Sequence, residues 1–388
     1  MEEQHLVLST TIPKMMKALT YIKPGVISWR SISKPTIKLP SDVIGKVLTT
    51  TICGSDLHIL KGDVPETTAL AAKQPEKGVV LGHEAIIEVV EVGDSIKNFQ
   101  KGDVCIASCI TACGECYYCK RNLQSHCAGN EGTSGWILGH EIDGTQAEFM
   151  RVPCAETSLF KVPDHAKNVP HESLLMLSDA IPTSYEIGIL SGGVKKGDSV
   201  AIVGLGPVGL SALLSAKTLN PAQLIAIDLD NQRLQLAKKL GATHTINSGE
   251  FTSADIASQI KQITSSLCEG ESKGREPGVD VAIECVGIPK TFELCQDLIT
   301  PGGSIANVGV HGTSVELKLQ DLWIKNCKIT TGLVSAYSTP ELLEKVVDGS
   351  LDPTPIITHH FKFDEFEKAY EIFKDAKNTH AMKVILTP

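Results

Sequence analysis

From Met15 to about residue 165 the chain runs in short apolar stretches such as Met15-Met16-Lys17-Ala18-Leu19-Thr20-Tyr21, Val79-Val80-Leu81 and Ala85-Ile86-Ile87-Glu88-Val89-Val90-Glu91-Val92, separated by turn signals such as Lys101-Gly102-Asp103. Short β-type runs with this punctuation predict an antiparallel, barrel-like all-β region. After about residue 170 the rhythm changes. Strand-length apolar runs, Ser199–Val203 and Gln223–Asp228, alternate with helix-length segments, Val208–Leu219 and Gln232–Leu240, the second stopped by Gly241. That alternation predicts βαβ units on a parallel sheet. Strands at Val279–Ile283 and Gly303–Val308 carry it to about residue 326, after which short mixed elements return, with Phe363–Phe373 as an amphipathic helix. Residues 1–14 show neither periodicity nor a cap and read as a loose N-terminal extension.

Composition changes this picture in three ways. A chain of 388 residues exceeds what one hydrophobic core usually supports, so the change of rhythm marks two domains. A net charge of −9, from 45 acidic and 36 basic side chains with no long basic run, argues against nucleic acid as a partner. No apolar stretch is long enough to span a bilayer, and the start Met1-Glu2-Glu3-Gln4-His5 is acidic where a signal peptide is basic. These features point to a cytoplasmic protein without a membrane partner. In a reducing compartment the crowding of five of the twelve cysteines between Cys105 and Cys119 suggests metal ligation in place of disulfides.

Cys113-Gly-Glu-Cys116-Tyr-Tyr-Cys119, followed by Cys127, has the spacing that brings four thiolates round one tetrahedral ion, for which Zn²⁺ is the natural occupant. A closed four-sulfur shell leaves no open position, so this site holds a loop together and does no chemistry. Cys109-x-x-x-Cys113 could belong to a shifted ligand set; otherwise Cys105 and Cys109 read as small hydrophobes on a β segment. Cys154, Cys268, Cys285, Cys295 and Cys327 have no ligand-like neighbours in sequence, and His359-His360 reads as an exposed loop.

Between the first strand and helix of the second region lies Gly204-Leu205-Gly206-Pro207-Val208-Gly209. In this register Gly204 makes the tight turn, Gly206 lets the backbone approach a pyrophosphate, and Gly209 lets helix and strand pack closely. The pyrophosphate then rests on the amide dipoles at the helix start. Asp228 ends the next strand, nineteen residues after Gly209, where it can accept hydrogen bonds from the adenosine ribose. It favours NAD over NADP, while Arg233 five residues on could still meet a 2′-phosphate.

Three further candidates, Cys53 in Thr51-Ile52-Cys53-Gly54-Ser55-Asp56-Leu57-His58, His83 in Gly82-His83-Glu84, and Asp179 in Leu177-Ser178-Asp179-Ala180-Ile181-Pro182-Thr183, are each ordinary when taken alone. Set beside the glycine turn, the four-cysteine loop and the run Gly82-His83-Glu84-Ala85-Ile86-Ile87-Glu88-Val89-Val90, they make the chain resemble the zinc-dependent medium-chain alcohol dehydrogenases from about residue 15 onward. The resemblance implies an α/β fold with a GroES-like antiparallel β catalytic domain over residues 15–178 and 327–388 and a Rossmann doubly wound dinucleotide-binding domain over 179–326. It implies a catalytic zinc held by Cys53, His83 and Asp179, with Glu84 beside it as a second-layer or exchangeable ligand. It further implies a structural zinc on Cys113, Cys116, Cys119 and Cys127, NAD as cofactor, and a homodimer or homotetramer joined at the sheet edge. Aspartate stands where the better-known animal and yeast-type members carry cysteine, so the chain is similar to the secondary-alcohol and formaldehyde-dehydrogenase-like subgroup. A carboxylate is a harder, weaker donor than a thiolate, and leaves the ion more electrophilic.

Three protein ligands leave a fourth position for water or substrate, as a catalytic zinc requires. In the register of the family Ser55 bonds the alcohol oxygen, His58 relays its proton to solvent, and Thr183, Val308 and Val310 hold the nicotinamide. The expected reaction exchanges hydride between a small alcohol and NAD, giving an aldehyde or ketone, with formaldehyde-dehydrogenase-like or polyol activity as alternatives in the same class. Trp136, Leu138, Trp323 and Leu333 are candidate pocket residues. A reading from a different class is a zinc-stabilised binding protein on a dehydrogenase scaffold.

Overall fold

The computed structural model describes residues 14–129, 134–269 and 273–388. The expected N-terminal extension therefore lies, but for Lys14, outside the described residues. The strands Val43–Thr51 and Ala85–Val92 pair antiparallel at the centre of a seven-stranded sheet. Val104–Ala107 and Leu159–Lys161 extend it on one side, Lys383–Thr387 and Ile357–Lys362 on the other, and Phe149–Val152 also pairs with Val43–Thr51. A second, three-stranded sheet orders Val26–Ser33, Met15–Lys23 and Val79–Val80. Many apolar side chains of this region, Tyr21, Val47, Ile52, Ile87 and Phe366 among them, close into a shared core.

The second region is a six-stranded parallel sheet in the order His244–Asn247, Gln223–Asp228, Ser199–Val203, Val279–Glu284, Ile299–Asn307, Lys328–Thr331. Ser199–Val203 is buried along its whole length, as a parallel strand covered on both faces must be. Val200 and Ile202 enter one core and Ala201 and Val203 the other. Strand order reverses at Ser199–Val203, which pairs with Gln223–Asp228 on one side and Val279–Glu284 on the other. Such a switch point opens a crevice at the carboxyl ends of the strands, where doubly wound sheets bind their ligands. The first of these cores also takes in Ile86, Ile106 and Ile385 of the antiparallel sheet, so apolar packing is continuous between the two regions.

Three expectations are corrected. The stretch expected to be all-β contains helices, the longest of them Gly54–Lys61 and Pro65–Lys73, the first starting immediately after Cys53 and ended by Gly62 in the left-handed region. The parallel sheet does not stop at residue 326: Lys328–Thr331 is its edge strand, largely exposed and too polar to register as an apolar run. His359 and His360 lie on the strand Ile357–Lys362, where alternate residues face solvent, and His360 Nε2 is 2.6 Å from Glu172 Oε2.

Candidate active site and metal centres

The four-cysteine loop folds as its spacing predicts. Cys116 Sγ lies 3.5 Å from Cys119 Sγ and 3.9 Å from Cys127 Sγ, and Cys113 Sγ lies 4.0 Å from Cys119 Sγ. Four sulfurs at zinc bonding distance in a tetrahedron stand about 3.8 Å apart. None of the cysteines forms a disulfide. The backbone points donors inward: Cys113 N–H and Gly129 N–H donate to Cys127 Sγ at 3.2 and 3.4 Å. A Cβ at Gly129 would stand 2.2 Å from Cys113 Sγ, so only glycine fits against this cluster. Backbone N–H groups of Cys119 and Ala128 pull the Cys116 thiol down to about 6, which favours the thiolate that a metal needs.

A second set of donors converges from three distant segments. Ligand atoms of Cys53, His83, Glu84 and Asp179 all lie within 4.8 Å of one another. Cys53 caps the start of the helix Gly54–Lys61, with its N–H donating to Asp56 Oδ2 at 2.9 Å. His83 and Glu84 occupy the link between Val79–Val80 and Ala85–Val92, and Asp179 heads the turn Ala180–Thr183. His83 Nε2 is 3.2 Å from Asp179 Oδ2, which in turn is 3.8 Å from Cys53 Sγ. The side chains of His83 and Glu84 are almost fully enclosed and Asp179 is 17% exposed. One thiol, one imidazole and a carboxylate gathered out of water are the donor types of a catalytic zinc site, and the set fits that ion.

A buried polar layer surrounds these donors. Glu84 receives Lys383 Nζ on both oxygens, at 2.7 and 2.8 Å, in a pair 1–2% exposed. Burial works against the Lys383 charge, but Glu84, Cys53 and Asp179 together outweigh it and hold the ammonium above its usual range. On the other side of His83, Asp56 Oδ1 lies 3.8 Å from Nδ1. Asp56 Oδ2 accepts Gln146 Nε2 at 3.2 Å, and Gln146 Oε1 accepts the Tyr370 hydroxyl at 2.8 Å. Burial opposes a charge on His83, yet its contacts with Asp179 and Cys53 push it well above the imidazole range. Burial likewise opposes ionisation of Asp179, but His83 and Thr183 hold that carboxyl well below the usual carboxylate range.

The glycine turn has the geometry its sequence predicts. Gly204 has φ +93°, and a Cβ at Gly209 would stand 1.8 Å from the Gly204 carbonyl oxygen, whereas one at Gly206 would meet nothing within 4 Å. The helix Pro207–Lys217 starts here with proline in its first turn, and Val208 follows. Asp228 accepts Leu205 N–H at 2.6 Å and Asp230 N–H at 2.8 Å, so its carboxylate braces the turn. Arg233 lies in the first turn of Asn231–Leu240, capped by Asp230. Ser184 Oγ donates to Val208 O at 2.7 Å, tying the segment that carries Asp179 to the glycine-turn helix.

Among the remaining candidates, Ser55 Oγ is buried with no hydrogen-bond partner among the described residues. His58 is exposed on the same helix, with Nδ1 2.9 Å from Asp63 Oδ2. Val308 is 8% exposed and Val310 83%. Thr183, expected against the nicotinamide, spends its hydroxyl on Asp179 Oδ1 at 2.6 Å. Leu138 is buried in the β-region core, and Trp323 is 73% exposed on the surface. Trp136 stacks on His140 and packs beside Cys109, Val334 and Ala336, and Leu333 is 40% exposed.

Five residues of this layer escape a reading of the sequence. Asp56, Gln146, Tyr370 and Lys383 carry no motif; the signal for Lys383 is a single charge inside the apolar run Met382–Leu386. Cys109, taken as a small hydrophobe, places Sγ 3.7 Å from Asp179 Oδ1.

Comparison with known proteins agrees with this geometry. The alcohol dehydrogenase GroES-like domain matches residues 39–164, and the zinc-binding dehydrogenase domain matches residues 207–348. An alcohol dehydrogenase from Cupriavidus necator is 30% identical over 96% of this chain and 99% of its own length. The L-threonine 3-dehydrogenase of Pyrococcus furiosus is 32% identical over 87% of this chain and 89% of that protein. The apo structure of zinc-dependent alcohol dehydrogenase 2 from Streptococcus pneumonia superposes with a TM-score of 0.84 at 47% identity, covering 96% of this chain and 98% of that one.

Proposed function

This chain belongs to the zinc-dependent medium-chain alcohol dehydrogenase family, and from that premise we propose that it interconverts a small primary or secondary alcohol with its aldehyde or ketone. It is a zinc-dependent oxidoreductase with a GroES-like domain, a Rossmann-type domain, two zinc sites and NAD as cofactor. The observation that carries the finer reading is the convergence of Cys53, His83 and Asp179 on one point, joined through Ser184 to the helix that follows the glycine turn.

Each side chain has a task in this reading. Cys53, His83 and Asp179 hold the catalytic zinc, which when bound supplies Lewis acidity and lowers the pKa of an alcohol beside it. Glu84, held on both oxygens by Lys383, is kept in place beside the donor set. Ser55 Oγ, buried and without a partner among the described residues, is available to accept the alcohol proton as it releases its own toward His58, which is exposed and passes a proton on to water. Asp56, held by Gln146, sets a carboxylate behind His83, 3.8 Å from its Nδ1. Gly204, Gly206 and Gly209 with Pro207 and Val208 seat the pyrophosphate, Asp228 takes the ribose hydroxyls of NAD, and Val308 and Val310 flank the nicotinamide.

The test is a metal count combined with a panel of primary alcohols, secondary alcohols, polyols and formaldehyde adducts, run with NAD⁺ and NADP⁺ at equal concentration. Two zinc ions per chain and NAD⁺-linked turnover of simple alcohols are expected. One ion per chain and no hydride transfer from any of these would instead mark a binding protein on this scaffold.

A further inference from the structure

The two carboxylate oxygens of Asp179 have different surroundings. Oδ2 meets the other donors, 3.2 Å from His83 Nε2 and 3.8 Å from Cys53 Sγ. Oδ1 receives two side chains from elsewhere: the Thr183 hydroxyl donates at 2.6 Å and the Cys109 thiol at 3.7 Å. Both donors are set by backbone bonds to the same segment, Thr183 N–H to Asp179 O at 2.8 Å and Cys109 N–H to Ser178 O at 3.0 Å.

Thr252 and Thr291 also give their hydroxyls to carboxylates, Asp255 Oδ2 at 2.7 Å and Glu284 Oε1 at 2.6 Å, but a helical Thr183 has a second acceptor to hand. A helical Ser or Thr hydroxyl commonly bonds the carbonyl four residues back. Thr264 does so, to Ile260 O at 2.7 Å. Thr183 sits in the same register yet turns to the Asp179 carboxylate. The thiols of Cys268 and Cys327 rest on backbone carbonyls, of Thr264 and Leu322, whereas that of Cys109 rests on a carboxylate.

The chemistry of the donor gives this arrangement a purpose. A thiolate offers a metal one atom, but a carboxylate offers two and can bind through either or both. A bidentate aspartate would fill the position that a catalytic ion keeps for its substrate. We propose that Thr183 and Cys109 are positioning residues that pin Asp179 Oδ1 and confine the carboxylate to a single-oxygen ligand through Oδ2, so that one position on the ion stays open. The inference rests on reading Cys53, His83 and Asp179 as the catalytic zinc site. It gives Thr183 a task toward the metal in addition to any contact with the nicotinamide.

The experiment uses the full-length protein with zinc in the four-cysteine cluster and Co²⁺ in the second site, comparing the parent with Thr183→Val, Thr183→Ser and Cys109→Ala. Visible absorption reports coordination number, because four-coordinate Co²⁺ absorbs strongly and five- or six-coordinate Co²⁺ weakly. Competition with a chromogenic chelator reports zinc affinity. Thr183→Val is expected to lose band intensity and to bind its second zinc about 10-fold more weakly. Cys109→Ala should change both in the same direction by less, and Thr183→Ser should restore the parent values. Parent-like spectra and affinity in both Thr183→Val and Cys109→Ala would overturn the pinning role while leaving the zinc site intact. A parent protein that takes up only one ion per chain would instead overturn the underlying site.

Discussion

Both oxygens of Glu84 rest on the Lys383 ammonium inside the protein, so each charge has the other as its nearest partner. Removing one half of such a pair leaves an uncompensated buried charge and costs about 3–5 kcal/mol. Lys383→Met is accordingly expected to lower stability by roughly 3 kcal/mol, read as a shift in the urea midpoint at unchanged slope. Asp179→Asn exchanges an anionic ligand for a neutral one. Zinc content should fall from two ions toward one per chain and turnover by at least about 10-fold, with the circular dichroism spectrum retained. At Asp228 two backbone N–H groups already share the carboxylate, so it serves the protein before any ribose arrives. Asp228→Ser should therefore raise KM for NAD⁺ and move the ratio of kcat/KM for NAD⁺ over NADP⁺ by about 10-fold or more toward NADP⁺. An unchanged ratio would remove the ribose argument.

The loop that carries the four cysteines is also an anchor. Ser125, between Cys119 and Cys127, packs on the segment after the last parallel strand, with Oγ 3.3 Å from Ser335 Oγ. That segment is gripped by Glu186, whose buried carboxylate accepts Ser335 N–H at 2.8 Å, Ser338 N–H at 3.0 Å and Ser338 Oγ at 2.7 Å. Cys109, Ile110, Val334 and Ala336 form a small apolar cluster at the same place. Loss of the structural ion should thus loosen a brace between the two regions while leaving the catalytic donors in place. Cys116→Ser is expected to lower Tm by more than about 5 °C, which a thermal melt measures, and to preserve most of the turnover per folded molecule. Inactive but fully folded protein would contradict a bracing role.

In the whole molecule the catalytic donors lie where the two regions meet, with a continuous apolar core beneath them. The far side of the parallel sheet ends in the strand Lys328–Thr331, flanked by Leu319, Trp323 and Ile324, which are 61%, 73% and 68% exposed. An uncovered edge with apolar side chains beside it invites pairing with another chain. A dimer formed along this edge would cover those side chains. Trp323→Glu should shift the species seen in sedimentation velocity toward the monomer, and an unchanged sedimentation coefficient would place the contact elsewhere.

What the sequence determined by itself was local. The period of the apolar runs, the glycine turn with its acid nineteen residues on, and four cysteines within one loop each depend on neighbours close along the chain, and spacing alone encodes them. Cys53, His83 and Asp179 became legible through the family resemblance. Tertiary structure decided what surrounds them: Lys383 reaches Glu84 across 299 residues, Gln146 reaches Asp56 across 90, and Cys109 reaches Asp179 across 70. No periodicity carries such pairings, because each is set by which strands the sheets bring side by side and by the need of buried polar atoms for partners once water has been excluded.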